Sequence, residues 1–120
     1  MTVRAIRGAT CLQADDATEM FEAVAELMKH MLERNSIDAE DVISLFLTST
    51  PDLVCAFPAA GVRAFGLSDV PLLCAQEIDV AGALPRVVRI MAHVSSDVPK
   101  SDINHVYLRG AEVLRADLIP

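Results

Sequence analysis

The sequence predicts an α+β domain, a five-stranded mixed sheet packed against one long helix, with one or two short helices beside it. Three observations lead there. Apolar residues recur at three- and four-residue spacings over 16–34, the pattern of a long amphipathic helix. Five shorter stretches are alternating, β-branched or continuously apolar and are bounded by Gly, Pro and Ser/Asp punctuation. No repeat, low-complexity tract or linker interrupts them, so residues 1–120 read as one domain.

Residues 2–12 (TVRAIRGATCL) alternate and are rich in small and β-branched residues, which favours a strand; Gly8 within it marks either a bulge or the close approach of another chain. Met20, Phe21, Val24, Leu27, Met28, Met31 and Leu32 form the stripe of the helix over 16–34. Asp15 or Asp16 is available as its cap, and Glu19 and Glu22 lie near its positive end. Asn35 and Ser36 end the helix, a turn carrying Asp38, Glu40 and Asp41 follows, and VISLFLTST (42–50) reads as a strand buried on both faces until Pro51 stops it. Pro58 to Phe65, opening with proline and closing at Gly66, has the order of a short helix. VPLLCA (70–75), RVVRIMAHV (86–94) and NHVYL (104–108) supply three more strands.

A chain of this length can bury roughly 65% of its unfolded surface, enough for a core without staples. An apolar fraction of 52% against 22% charged residues is high for a lone domain and points to apolar surface held in an oligomer interface. The net charge of −7 argues against nucleic acid or an anionic membrane as the main partner. Eight of the ten cations are arginine, a bias that suits bidentate carboxylate recognition, although genomic base composition produces it too. Cys11, Cys55 and Cys74 are odd in number and lack C-x-x-C spacing, and no apolar leader or membrane-spanning stretch accompanies them. They read as reduced thiols of a cytoplasmic protein.

Charge inside strands is the main chemical oddity. Arg7 shares a strand face with Val3, Ala5 and Ala9, and Arg89 shares one with Val87 and Met91. Their partner is a ligand anion or a structural carboxylate such as Glu77 or Asp79, or else the face is solvated; the residues alone leave these open. Glu77 and Asp79 could do acid and base work or hold a hard metal, but no third acidic ligand or histidine accompanies them, so no metal is expected. His30, His93 and His105 fall on separate elements, Cys74 lacks a base with an orienting group, and no phosphate loop or nucleophile elbow is present.

IRGAT (6–10), TPDL with AFPA (50–53 and 56–59), VPLLCAQEIDV (70–80), PRVVRIM (85–91) and HVYL with VLRADL (105–108 and 113–118) resemble the monofunctional chorismate mutases of the homotrimeric, pseudo α/β-barrel class. Five segments in family order span nearly the whole chain. The resemblance implies a ferredoxin-like subunit, sheets lining a shared central barrel, and three active sites in clefts between subunits. It implies the cofactor-free Claisen rearrangement of chorismate to prephenate in Phe/Tyr biosynthesis, with no covalent intermediate and no obligatory proton transfer. Carried over by motif, Arg7, Arg89 and Tyr107 would hold the enolpyruvyl carboxylate, and Arg89 would also reach the ether oxygen, where negative charge grows as the bond breaks. Glu77 and Cys74 would bond the ring hydroxyl, with a bulge or strand end needed between them because their parities differ. Phe57, Ala59, Leu73 and Leu114 would press the substrate into its reactive conformer, and Arg63 and Arg115 would meet the ring carboxylate at the cleft mouth. Ala60 stands where relatives often carry a lysine, which removes one positive contact.

Two other readings compete. Imine deaminases of similar trimeric architecture also grip a carboxylate with an arginine but activate water, and their signature segments are not visible here. A non-catalytic trimer binding an aromatic-pathway metabolite would show ligand protection against melting with no turnover.

Overall fold

Alternation and turn chemistry give the chain seven regular elements in a computed structural model that describes residues 2–118, with side chains as far as Leu114. They are β1 (Val3–Cys11), α1 (Ala17–Glu33), β2 (Val42–Ser49), α2 (Ala59–Phe65), β3 (Leu72–Gln76), β4 (Val87–Ser95) and β5 (Val106–Leu108). Short 3-10 segments lie at Ala39–Asp41, Lys100–Asp102 and Ala111–Leu118. The sheet order is β3-β2-β4-β1-β5. β4 runs antiparallel to both β1 and β2, while β3 is parallel to β2 and β5 to β1, so the sheet is mixed. Because β4 lies between β1 and β2, the β1-α1-β2 unit is split in the ferredoxin-like manner.

Asp16 caps α1. Its carboxylate accepts the Glu19 amide at 2.8 Å, and the Glu19 carboxylate reaches back to the amides of Gln13 at 2.7 Å and Ala14 at 3.2 Å. This reciprocal exchange satisfies donors that a helix start leaves open. The apolar stripe then closes over one sheet face, with Met20, Val24, Leu27, Met28 and Met31 buried against strand residues including Ile6, Leu47, Val88 and Ile90. Gly8 permits a close approach, but by α1 of the same chain: a Cβ there would lie 2.5 Å from the Met31 sulfur and 3.1 Å from a Leu27 methyl.

Two sequence expectations change. β2 is not buried on both faces, since Leu45 and Leu47 are inside but Ile43 is 39% and Phe46 43% exposed. Among the described residues, no element of the chain buries Ile43 or Phe46. The last strand begins at Val106 rather than 104, because Asn104 is bonded to the end of α1: its amide donates to the Asn35 carbonyl oxygen Oδ1 at 2.7 Å and its side chain to the Arg34 carbonyl at 2.9 Å.

Gly61 sets the distance between α2 and α1. A Cβ there would lie 2.6 Å from the Val24 Cβ, a point fixed to the backbone of α1. Alanine in a free helix gains about 1 kcal/mol over glycine, whereas forced overpacking loses about 1–3 kcal/mol. The steric loss dominates against so stiff a neighbour, so Gly61→Ala is expected to lower the urea midpoint; an unchanged or raised midpoint would show that α2 can shift freely.

Candidate active site

The sheet face turned away from α1 gathers the charged strand residues. Ile6, Gly8, Leu47 and Ile90 are buried on the helix side, so alternation puts Arg7, Ala9, Phe46, Thr48, Arg89 and Met91 on the other. Register then aligns them. Ala75, Thr48, Arg89, Ala9 and Tyr107 form one row across β3, β2, β4, β1 and β5. Leu73, Phe46, Met91 and Arg7 form the next. At strand spacings near 4.8 Å the backbones of Arg89 and Tyr107 stand roughly 10 Å apart, with the single methyl of Ala9 between them. The result is a hollow of about 280 Å³ walled by Arg7, Phe46, Thr48, Glu77, Arg89 and Tyr107.

Glu77 lies one residue beyond β3 and keeps its alternation. Its amide donates to the Ser49 carbonyl at 2.9 Å, and its side chain falls on the face of Leu73 and Ala75, which is also the face of Thr48 and Arg89. The Thr48 hydroxyl donates to Glu77 Oε1 at 2.6 Å, and Arg89 Nε lies 3.0 Å from that same oxygen. The structural-carboxylate reading of Arg89 is therefore correct in part. The ion pair makes its contact at Nε, and among the described residues the terminal fork of the guanidinium has no hydrogen-bond partner, which leaves it to a second anion. Asp79 instead lines a separate hollow with Ile78 and Val80.

The backbone around both arginines is pinned. The Arg7 amide donates to His105 Nδ1 at 2.9 Å, tying β1 to the residue that leads into β5. Arg86, held at φ 53, donates its amide to the Asp52 carboxylate at 3.0 Å. Thr50 donates to Asp52 at 2.5 Å and accepts the Val87 amide at 3.0 Å. The TPD turn thus fixes the start of β4 two residues before Arg89.

Other sequence candidates fall elsewhere on the chain. Cys74 pairs with Leu47, so it faces the opposite side of the sheet from Thr48 and lines a hollow of about 530 Å³ together with Phe57, Cys55 and Leu53. A strand end does separate it from Glu77, but the two line different hollows. Phe57 is 75% and Leu73 67% exposed. Ala59 is buried in the first turn of α2, and Arg63 is exposed in its last turn. Leu114 packs with Tyr107 against Ala9, Cys11, Val87 and Ala111. The Arg115 side chain lies outside the described residues. Thr48 and His105 were not picked out from sequence as site residues; same-face parity with Arg89 could have flagged Thr48, whereas nothing local marks His105 as the acceptor of the Arg7 amide.

The family model described as chorismate mutase type I matches residues 3–118. The chain belongs to the chorismate mutase type I family. It is 43% identical over 119 residues to chorismate mutase AroH of Bacillus subtilis (strain 168), covering 98% of this chain and 94% of that protein. It is 44% identical over 117 residues to chorismate mutase AroH of Thermus thermophilus, covering 97% and 96%. Among solved structures it resembles a chorismate mutase from Clostridium thermocellum with a TM-score of 0.89 and 45% identity, over 91% of this chain and 97% of that one.

In this chorismate mutase, Asp15 anchors the segment leading to Phe57. Its Oδ1 accepts the amides of Val54 at 3.0 Å and Cys55 at 2.9 Å. Burial, and then donation to Asp15, push the Cys55 thiol up to about 11, and the thiol bond in turn holds the Asp15 carboxyl below its ordinary value of 3.8. A carboxyl depressed in the folded state contributes its anchoring above the unfolded value and loses it as pH falls through the folded one. Amide-exchange protection at Val54 and Cys55 is therefore expected to drop selectively as pH falls below 3.8. Asp15→Ala should show the same loss at pH 7, and full protection in that variant would refute the anchoring role.

Proposed function

We infer that the open-face hollow is one wall of an active site at which this isomerase converts chorismate to prephenate, a step feeding aromatic amino-acid biosynthesis. The observation that carries the reading is the convergence of Arg7, Arg89, Glu77 and Tyr107 on one concave floor, with the Arg89 fork unengaged among the described residues. In the rearrangement a carbon–oxygen bond breaks and a carbon–carbon bond forms within one molecule, with no proton or electron exchanged with the protein. The protein's tasks are to select the compact conformer and to stabilise charge that develops on the ether oxygen. Arg7 and Tyr107 hold the enolpyruvyl carboxylate, the Arg89 fork bridges carboxylate and ether oxygen, and Glu77 accepts the ring hydroxyl.

The Arg89 side chain is 48% exposed in the single chain, and a guanidinium in contact with bulk water stabilises a nascent anion weakly. Closure therefore requires a second surface. The Phe57 and Cys74 hollow, with Arg63 of α2 nearby, supplies the opposite wall from a neighbouring copy. Exposed apolar residues at Phe46, Phe57, Leu73 and Ile78 support such packing. A homotrimer with three inter-subunit clefts satisfies both walls at once. A cytoplasmic setting would keep Cys11, Cys55 and Cys74 reduced.

Purified protein is expected to consume chorismate, seen as loss of its ultraviolet absorbance, without added metal or cofactor. Arg89→Ala should lower turnover by at least about 10²-fold, the usual effect of deleting one donor to a developing oxyanion; near-normal turnover in that variant would exclude the mechanism. Sedimentation equilibrium should give about three times the 12.9 kDa chain mass, and an active monomer would eliminate the shared cleft.

A further inference from the structure

We propose that Thr48 is a positioning residue of this site, whose hydroxyl fixes the Glu77 carboxylate so that Glu77 steadies Arg89 without occupying its fork. The inference rests on the hollow being the active site. Glu77 lies just past the end of β3, where its own amide makes the last bond to β2, at the Ser49 carbonyl. Its carboxylate sits at the end of a side chain with three rotatable torsions, and the strand offers nothing further to orient it. Thr48 supplies the missing point. Main chain and side chain of Glu77 are thus held by two consecutive residues of β2, Ser49 and Thr48.

Thr48 is suited to this by its place in the sheet. It pairs directly with Arg89 on β4 and with Ala75 on β3, so its hydroxyl stands between the arginine and the residue two before Glu77. Its β-branched side chain is stiff about χ1, which keeps the oxygen from wandering. The hydroxyl and Arg89 Nε converge on Oε1, at 2.6 Å and 3.0 Å. An unrestrained carboxylate beside a guanidinium favours the two-bond, fork-to-fork arrangement. That arrangement would consume the terminal nitrogens that the substrate's carboxylate and ether oxygen require. By tethering Oε1, Thr48 holds the pair in a single-point contact at Nε and leaves the second carboxylate oxygen able to accept a hydroxyl.

Valine and serine substitutions separate this role from a purely structural one, because they rank oppositely. Valine matches threonine in shape and strand preference but has no hydroxyl, whereas serine keeps the hydroxyl and loses the methyl. If the hydroxyl positions Glu77, Thr48→Val should lower kcat about 10-fold, as expected for loss of one hydrogen bond to a charged group. KM and the thermal midpoint should change little. Thr48→Ser should stay within about threefold of the unaltered protein, being the hydroxyl-retaining variant. A Thr48→Val protein with unchanged kcat, or a Thr48→Ser protein more impaired than Thr48→Val, overturns the proposal. Absence of turnover in the unaltered protein would instead overturn the active-site reading itself, so the two failures are distinguishable.

Discussion

A strand has two faces, and α1 can cover one of them. That constraint organises the molecule. Once Ile6, Leu47, Val88 and Ile90 are committed to the helix stripe, period-two alternation sends Arg7, Thr48 and Arg89 to the opposite face. The same rule puts Phe46 and Met91 there, so the open face is both charged and apolar. A surface of that kind suits a ligand with carboxylates and a ring, and it suits a covering neighbour.

Glu77 shows why geometry matters more here than pairing strength. Its contact with Arg89 involves a half-exposed guanidinium, and ion pairs in such settings contribute about 0–1 kcal/mol. Stability is therefore a poor reason for it. Orientation is a better one, since a single-point contact at Nε leaves most of the arginine's donors in place but pointed in a fixed direction. The supports are drawn from main-chain anchors around the site: Ser49 for Glu77, His105 for Arg7, and the Thr50–Asp52 turn for the start of β4.

Much of this was legible in the chain. The three- and four-residue spacing over 16–34 corresponds to a helix at Ala17–Glu33, and Asp16 is the one of the two aspartates before that stripe that caps it. The Pro58 and Gly66 pair likewise brackets α2. Parity gave the strand neighbours that Arg7 and Arg89 each share a face with, and register then showed that the two faces are one. The misreading of β2 has a physical cause. Ile43 and Phe46 are as apolar as any core residue, and a sequence does not distinguish surface that is buried within one chain from surface that waits for another. Gly8 is similar: a missing Cβ signals close approach, but only packing reveals that the approaching element is α1.

Sequence by itself determined which residues alternate, which segments are helical, and which motifs belong together, because these depend on local periodicity and on residue type. Tertiary structure alone decided that Thr48, Arg89, Ala9 and Tyr107 form one row, that Glu77 just past β3 meets Arg89, and that Cys74 faces away from both. Those facts depend on strand order and register, which bring residues far apart in the chain to neighbouring positions through hydrogen bonds that no local pattern specifies.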